Sequence, residues 1–185
     1  MRVLAISGSL RRGSHNTALL RAAAGLAPAG VELELYDGLG SLPPYNEDDD
    51  IEPAPPAVAA LRDAISAADA VLISTPEYNG TIPGQLKQVV DWASRPYGSG
   101  SSLFGKPVAV IGASVTDYGA VWAQDHLRKA LGIAGARVVG SELPLAGAHA
   151  KFDSAGRLTD EQSVRQLRQV LGDLVGQHEE LAQAA

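Results

Sequence analysis

Ala5-Ile6-Ser7-Gly8-Ser9-Leu10-Arg11-Arg12-Gly13-Ser14-His15-Asn16 is the stretch that decides the fold. It completes a short apolar run, Val3-Leu4-Ala5-Ile6, and leads into residues of helical period, so hydroxyls, amides and two guanidiniums gather where a strand turns into a helix. Such a turn suits an anion. The first N–H groups of a helix lack partners within it and the helix dipole adds partial positive charge, so a phosphate meets donors already aimed at it. Gly8 and Gly13 have the G-x-x-x-x-G spacing of a nucleotide-triphosphate loop, but Ser14-His15 stands where Lys-Ser/Thr is required. The G-x-G-x-x-G of a dinucleotide loop is missing too. What remains, Ser7, Ser9, Ser14, Asn16 and Thr17 beside Arg11 and Arg12, suits a single terminal phosphate with three acceptor oxygens.

Outward from this turn the chain alternates strand-like and helix-like patterns. Strands are expected at Arg2–Ser7, Val31–Tyr36, Ala70–Ser74, Pro107–Ala113 and, briefly, Ala136–Gly140. Val31–Tyr36 alternates apolar and acidic residues, as an edge strand does, whereas Ala70–Ser74 and Pro107–Ala113 are almost wholly apolar and read as central. Helices are expected at Thr17–Ala27, Val58–Ala68, about Pro83–Ser94, about Ala120–Leu131 and about Asp160–Leu181, the last with Thr159 as its cap. Asp37–Pro56 reads as a long polar loop. Parallel strands need crossovers and the crossovers cover both faces, so this order implies an α/β sandwich around a parallel sheet, in one domain spanning 1–185. Ligands in such sheets bind beyond the carboxyl ends of the strands, where the strand order reverses. The loops after the first, third and fourth strands all fall there.

Composition removes several function classes. With no cysteine there is no disulfide, thiolate nucleophile or cysteine-bound metal. The charge of −6 has its acids and bases interspersed, which argues against nucleic acid as a partner. No stretch approaches the roughly 18 apolar residues of a membrane span, so the chain reads as soluble, cytoplasmic and without a membrane partner.

The second loop, Thr75–Gly84, combines Pro76 and Pro83 with Gly80 and Gly84, a stiff backbone whose peptide groups suit a flat ligand. Tyr78 either borders that ligand or sits half-buried in an ordinary βα connection. The third loop begins Gly112-Ala113-Ser114-Val115-Thr116, one residue short of a hydrolase elbow, because Thr116 replaces the final glycine of G-x-S-x-G. Glu47-Asp48-Asp49-Asp50 reads as a solvated charge run, and the four histidines show no metal-ligand spacing. Tyr45, after Leu42-Pro43-Pro44, either borders the pocket or pins its own loop.

Taken together, the three loops resemble the NAD(P)H-dependent FMN reductases of flavodoxin-like fold, a group that includes quinone, chromate and azo-dye reductases. Gly8-Ser9-Leu10-Arg11 with Ser14 and Asn16 is similar to that family's phosphate loop. Thr75-Pro76-Glu77-Tyr78-Asn79-Gly80 through Pro83-Gly84, Leu86-Lys87 and Asp91-Trp92 is similar to its most specific signature, and Leu42-Pro43-x-Tyr45 also matches. The resemblance runs from the first strand through His126-Leu127-Arg128 and more loosely to the last helix. It implies a three-layer α/β/α sandwich with a five-stranded sheet of order 2-1-3-4-5. Ser9, Arg11, Ser14 and Asn16 would hold the FMN phosphate, Pro76, Glu77, Tyr78 and Asn79 would line the isoalloxazine, and Ser114 and Gly119 would flank its other side. Tyr45 and Tyr78 would border the substrate. The implied reaction passes hydride from NADPH or NADH through FMN to a small-molecule acceptor, a quinone first, with free flavin, azo dyes and chromate as further acceptors. No protein nucleophile or metal is then required. A flavodoxin-like electron carrier is the alternative, and the resemblance implies a homodimer or homotetramer. One departure stands out: where the family has Gly-Gly followed by arginine or glutamine, this chain has Gly119-Ala120 and then Trp122.

Overall fold

The computed structural model describes residues 1–184. Its elements are β1 (Arg2–Ser7), α1 (His15–Leu26), β2 (Glu32–Tyr36), α2 (Pro56–Ala67), β3 (Ala70–Thr75), α3 (Gly84–Ala93), β4 (Pro107–Ala113), α4 (Val121–Ile133), β5 (Arg137–Val138), β6 (Pro144–Leu145) and α5 (Glu161–Ala184). The strands pair in parallel in the order β2-β1-β3-β4-β5, the flavodoxin-like order that the family resemblance implies. The two central strands, β3 and β4, are buried along their whole length, while β2 exposes Glu32 and Glu34 at the edge. On one face α1 and α5 pack Leu19, Leu20, Leu167, Val170 and Leu174 against the sheet. On the other, α2, α3 and α4 contribute Leu61, Ile65, Leu86, Val89, Trp92 and Leu127.

Register brings the ends of three strands level. Ser7 lies beside Ser74, and Thr75 beside Gly112, so the loops 8–14, 76–83 and 114–120 leave the sheet at one edge. Gly8 is required at the first exit. Its N–H donates to Ser74 O at 2.8 Å, and a Cβ there would stand 2.7 Å from Leu86 Cδ2.

The long loop after β2 carries short turns at Gly38–Ser41 and Glu47–Asp49 and is stapled to α3. Gln85 Nε2 donates to Leu39 O and Leu42 O, and Trp92 Nε1 donates to Pro43 O. Glu47, Asp48 and Asp49 are exposed, as a solvated run should be. Asp50 is not: it pairs with Arg62 at 2.7 Å, both side chains largely buried, and fixes the loop to α2.

Two local expectations change. The cap of α5 is Asp160, whose carboxylate accepts from the Ser163 N–H at 2.9 Å, while the Thr159 hydroxyl donates to Lys151 O. The fifth strand, expected at Ala136–Gly140, is cut to Arg137–Val138; the chain then leaves the sheet and returns as β6, again pairing with β4. The guanidinium of Arg128 fills the interval. It donates to Val139 O at 2.7 Å, Val110 O at 3.0 Å and Ser141 O at 2.7 Å, so a side chain supplies the donors that a continuous strand would have supplied.

Candidate functional site

The first loop is built by α1. Ser14 caps the helix, its Oγ accepting from the Thr17 N–H at 3.2 Å, and the Ser7 and Thr17 hydroxyls bond to each other at 2.8 Å. Among the described residues, the backbone N–H groups of Leu10, Arg12, Gly13 and Ser14 find no acceptor. Ser9 is half-buried and Arg11 is exposed beside them. The loop therefore offers a cluster of uncommitted donors at the positive end of a helix. His15 begins the helix with its ring stacked on Phe152 at 6.3 Å, and burial, then Arg11, then His149 lower its pKa.

Asn16 behaves differently from its neighbours. It is 3 % exposed and its amide brackets the end of β4: Nδ2 donates to Ala113 O at 3.0 Å, and Oδ1 accepts from the Ala113 N–H at 2.9 Å. The same Oδ1 accepts from the Ser74 hydroxyl at 2.8 Å. It ties α1 to the carboxyl ends of β3 and β4 and turns its amide away from the loop donors.

The second loop closes on itself. Tyr78 and Thr81 exchange both backbone hydrogen bonds, and Asn79 and Gly80 between them have φ of +54° and +73°, the tight turn that Asn-Gly favours. Pro76 is buried and Tyr78 is 49 % exposed. The Glu77 carboxylate reaches 46 residues along the chain to accept from the Ala123 N–H at 3.0 Å, which caps α4 from outside. Thr81 Oγ1 meets His126 Nδ1 at 2.9 Å. The second loop and the start of α4 are thus one assembly.

In the third loop, the Ser114 hydroxyl accepts from the Thr116 N–H at 3.2 Å. Gly119 and Ala120 both take left-handed backbone, φ +59° and +63°, and a Cβ on Gly119 would stand 2.4 Å from Pro144 O. Gln124 holds this pair, its Nε2 donating to Gly119 O at 3.0 Å and Ala120 O at 3.3 Å. The sequence had not singled out Gln124. Its place four residues after an irregular pair is the available signal.

The structure therefore gathers Ser9, Arg11, Ser14, Pro76, Glu77, Tyr78, Asn79, Ser114 and Gly119 at one sheet edge, with Asn16 beneath them. Tyr45 does not join them. Its ring packs edge-on against Trp92 at 4.8 Å and its hydroxyl accepts from Arg95 Nε at 3.2 Å, at the far end of α3. Among the described residues no group of three or more His, Asp or Glu is placed to hold a metal ion.

The family model for NADPH-dependent FMN reductases matches residues 1–150. The chain belongs to that family. A solved NAD(P)H:(acceptor) oxidoreductase flavoenzyme from Paracoccus denitrificans superimposes with a TM-score of 0.86 at 38 % identity, covering 97 % of each chain. An NAD(P)H-dependent FMN reductase of Pseudomonas aeruginosa is 44 % identical over 172 residues, 92 % of this chain and 91 % of that protein. A quinone reductase of Pseudomonas putida is 39 % identical over 160 residues, 86 % and 85 % of the two chains. The protein is an NAD(P)H-dependent FMN oxidoreductase of flavodoxin-like fold, and the uncommitted donors of the 9–14 loop fit the phosphate of that cofactor.

Proposed function

We propose that this FMN reductase hands hydride equivalents from NAD(P)H to a quinone, with FMN held between the loops after β1, β3 and β4. What carries the reading is the meeting of two features at the switch between β1 and β3. One is the donor-rich 9–14 loop, and the other is the stiff Pro76–Asn79 peptide turned by Asn79-Gly80. When bound, FMN supplies two-electron chemistry and accepts and donates the hydride.

The chain's own residues then do the holding. The N–H groups of Leu10, Arg12, Gly13 and Ser14 would hold the phosphate, with hydroxyl donation from Ser9 and Ser14 and charge from the Arg11 guanidinium. Pro76, Glu77 and Asn79 would hold the ring by backbone groups, and Tyr78 would border the substrate. Ser114 and Gly119 close the opposite side. Asn16 acts as a strut beneath the loops, not as a phosphate ligand, and Tyr45 pins the loop after β2. Peptide N–H groups oriented toward a bound flavin would stabilise negative charge there without a titratable acid.

Residues 1–185 form one domain in this reading, because one sheet backs both hydrophobic clusters. The protein works as a homodimer or homotetramer in the cytoplasm, where NAD(P)H is supplied. No described helix is long and apolar enough to cross a membrane.

The test is FMN titration by quenching of flavin fluorescence, followed by NAD(P)H oxidation with 1,4-benzoquinone. Saturable FMN binding and quinone-dependent turnover are expected. Bound FMN with no quinone turnover would make the protein an electron carrier.

A further inference from the structure

The chain has two tryptophans, and they stand in opposite environments. Trp92 is fully buried, whereas Trp122 in the first turn of α4 is 46 % exposed. Tyr118, four residues earlier, is 59 % exposed, and the two rings lie 4.8 Å apart at 41°. Two large aromatics exposed side by side make a contiguous apolar patch of the kind that meets a ligand.

The backbone beneath this pair is held in an uncommon shape. Ala120, between the two aromatics, sits at φ +63° although it is not glycine; Gln124 holds its carbonyl, and Glu77 holds the Ala123 N–H three residues on. Strain kept in place beside a candidate site is a pointer to use. The Glu77–Ala123 and Thr81–His126 contacts also bind this turn to the Tyr78 turn, so three exposed aromatic side chains ride on one rigid assembly beside the cofactor edge.

Charge divides the site in two. Arg11 and Arg12 lie on the phosphate loop, but residues 75–86 and 113–127 contain no lysine or arginine and do contain Glu77, Asp117 and Asp125. Within these two segments a small anionic oxidant finds no lysine or arginine and meets acidic groups instead. A neutral flat ring finds two aromatic faces.

We propose that Trp122, with Tyr118, is the acceptor-selecting platform of this enzyme: it stacks neutral planar quinones and disfavours anionic oxidants. The inference rests on the FMN–quinone reading above. The chemistry balances without a further reactant. NAD(P)H gives up a hydride to become NAD(P)+, and the quinone gains those two electrons and that proton. A second proton from water completes the hydroquinone.

The two-tryptophan composition supplies a direct readout, because only Trp122 is open to a ligand. Titrating 1,4-naphthoquinone into the enzyme without NAD(P)H should quench the exposed tryptophan emission saturably. The KM for naphthoquinone should rise about fivefold to tenfold in Trp122→Ala, the range expected for loss of one aromatic contact, and return to within about threefold in Trp122→Phe. FMN affinity should stay within about twofold in both variants. Trp122→Arg should raise kcat/KM for ferricyanide relative to naphthoquinone by roughly tenfold or more, since it exchanges a ring for a cation. Tyr118→Ala should shift the naphthoquinone KM in the same direction by a smaller factor.

Unchanged naphthoquinone KM in Trp122→Ala with FMN still bound would overturn the platform. So would a Trp122→Ala variant that changes only its sedimentation, which would assign the ring to contact between copies. Failure of the wild-type protein to bind FMN or to turn over quinone would instead bring down the functional reading on which the platform stands.

Discussion

Replacing Asn16 by alanine separates two roles that its position allows, phosphate ligand and internal strut. The side chain makes three hydrogen bonds in a buried setting, two to the Ala113 peptide and one from the Ser74 hydroxyl, at 2.8–3.0 Å. Each contributes roughly 1 kcal/mol net, and the Ala113 N–H and C=O left without partners add part of their desolvation cost, so the loss should be about 3–5 kcal/mol. Against a typical total of about 5–15 kcal/mol that is a large fraction. With a urea m-value of about 2 kcal/mol/M, the unfolding midpoint of the apo protein should fall by roughly 1.5–2.5 M at unchanged slope. Ser74→Ala removes one bond of the three and should cost about 1 kcal/mol, giving a graded control. A midpoint within about 0.3 M of wild type, together with a tenfold weaker FMN complex, would refute the strut and restore Asn16 to the phosphate.

Arg11→Ala should weaken FMN binding by about 1.5–3 kcal/mol, roughly 10- to 150-fold in Kd by flavin fluorescence, with little change in unfolding midpoint. Arg128→Met leaves the Val110, Val139 and Ser141 carbonyls without their donor and should cost about 3–5 kcal/mol in chemical denaturation, with FMN contacts untouched. Gly119→Ala forces a Cβ against the Pro144 peptide at a left-handed position, and thermal melting should fall by the equivalent of about 2 kcal/mol or more. The pH dependence follows from His15, whose pKa in the folded protein is lowered by burial, then by Arg11 and His149. The unfolded chain binds its proton more readily, so stability is full above the unfolded pKa of about 6.5 and declines as pH falls through that value toward the folded one. Between pH 7 and 5 the apo protein should lose stability in urea titrations, and His15→Gln should flatten that slope.

The layered fold was legible because hydrophobic period survives local noise. Val31–Tyr36 alternated and became the edge strand β2, and Ala70–Ser74 and Pro107–Ala113 were continuously apolar and became the central β3 and β4. The fifth strand misled because its continuation is carried by a side chain, Arg128, from a neighbouring helix, and no local pattern reports that. Thr159 and Asp160 are adjacent and both competent caps, so the choice fell to which side chain reached Ser163. At the candidate site, polarity marks where donors gather but not which polar groups are already spent. Asn16 and Ser14 look alike in sequence, yet one amide is consumed by Ala113 and one hydroxyl still has a proton to give. The Glu77 cap on Ala123 joins residues 46 apart, a link that neither segment advertises alone.

The interruption between β5 and β6 also bears on whether copies of the chain can join edge to edge. An open sheet edge is a template on which another chain can lay a strand. Here one edge offers two-residue segments separated by an Arg128-filled gap, and the other sets Glu32 and Glu34 in the way of a similar strand. Neither margin offers a long, flat, uncharged row of free peptide groups. Any contact between copies is thereby steered toward helical faces, and crowding at high expression level meets a fold already guarded against edge-to-edge growth.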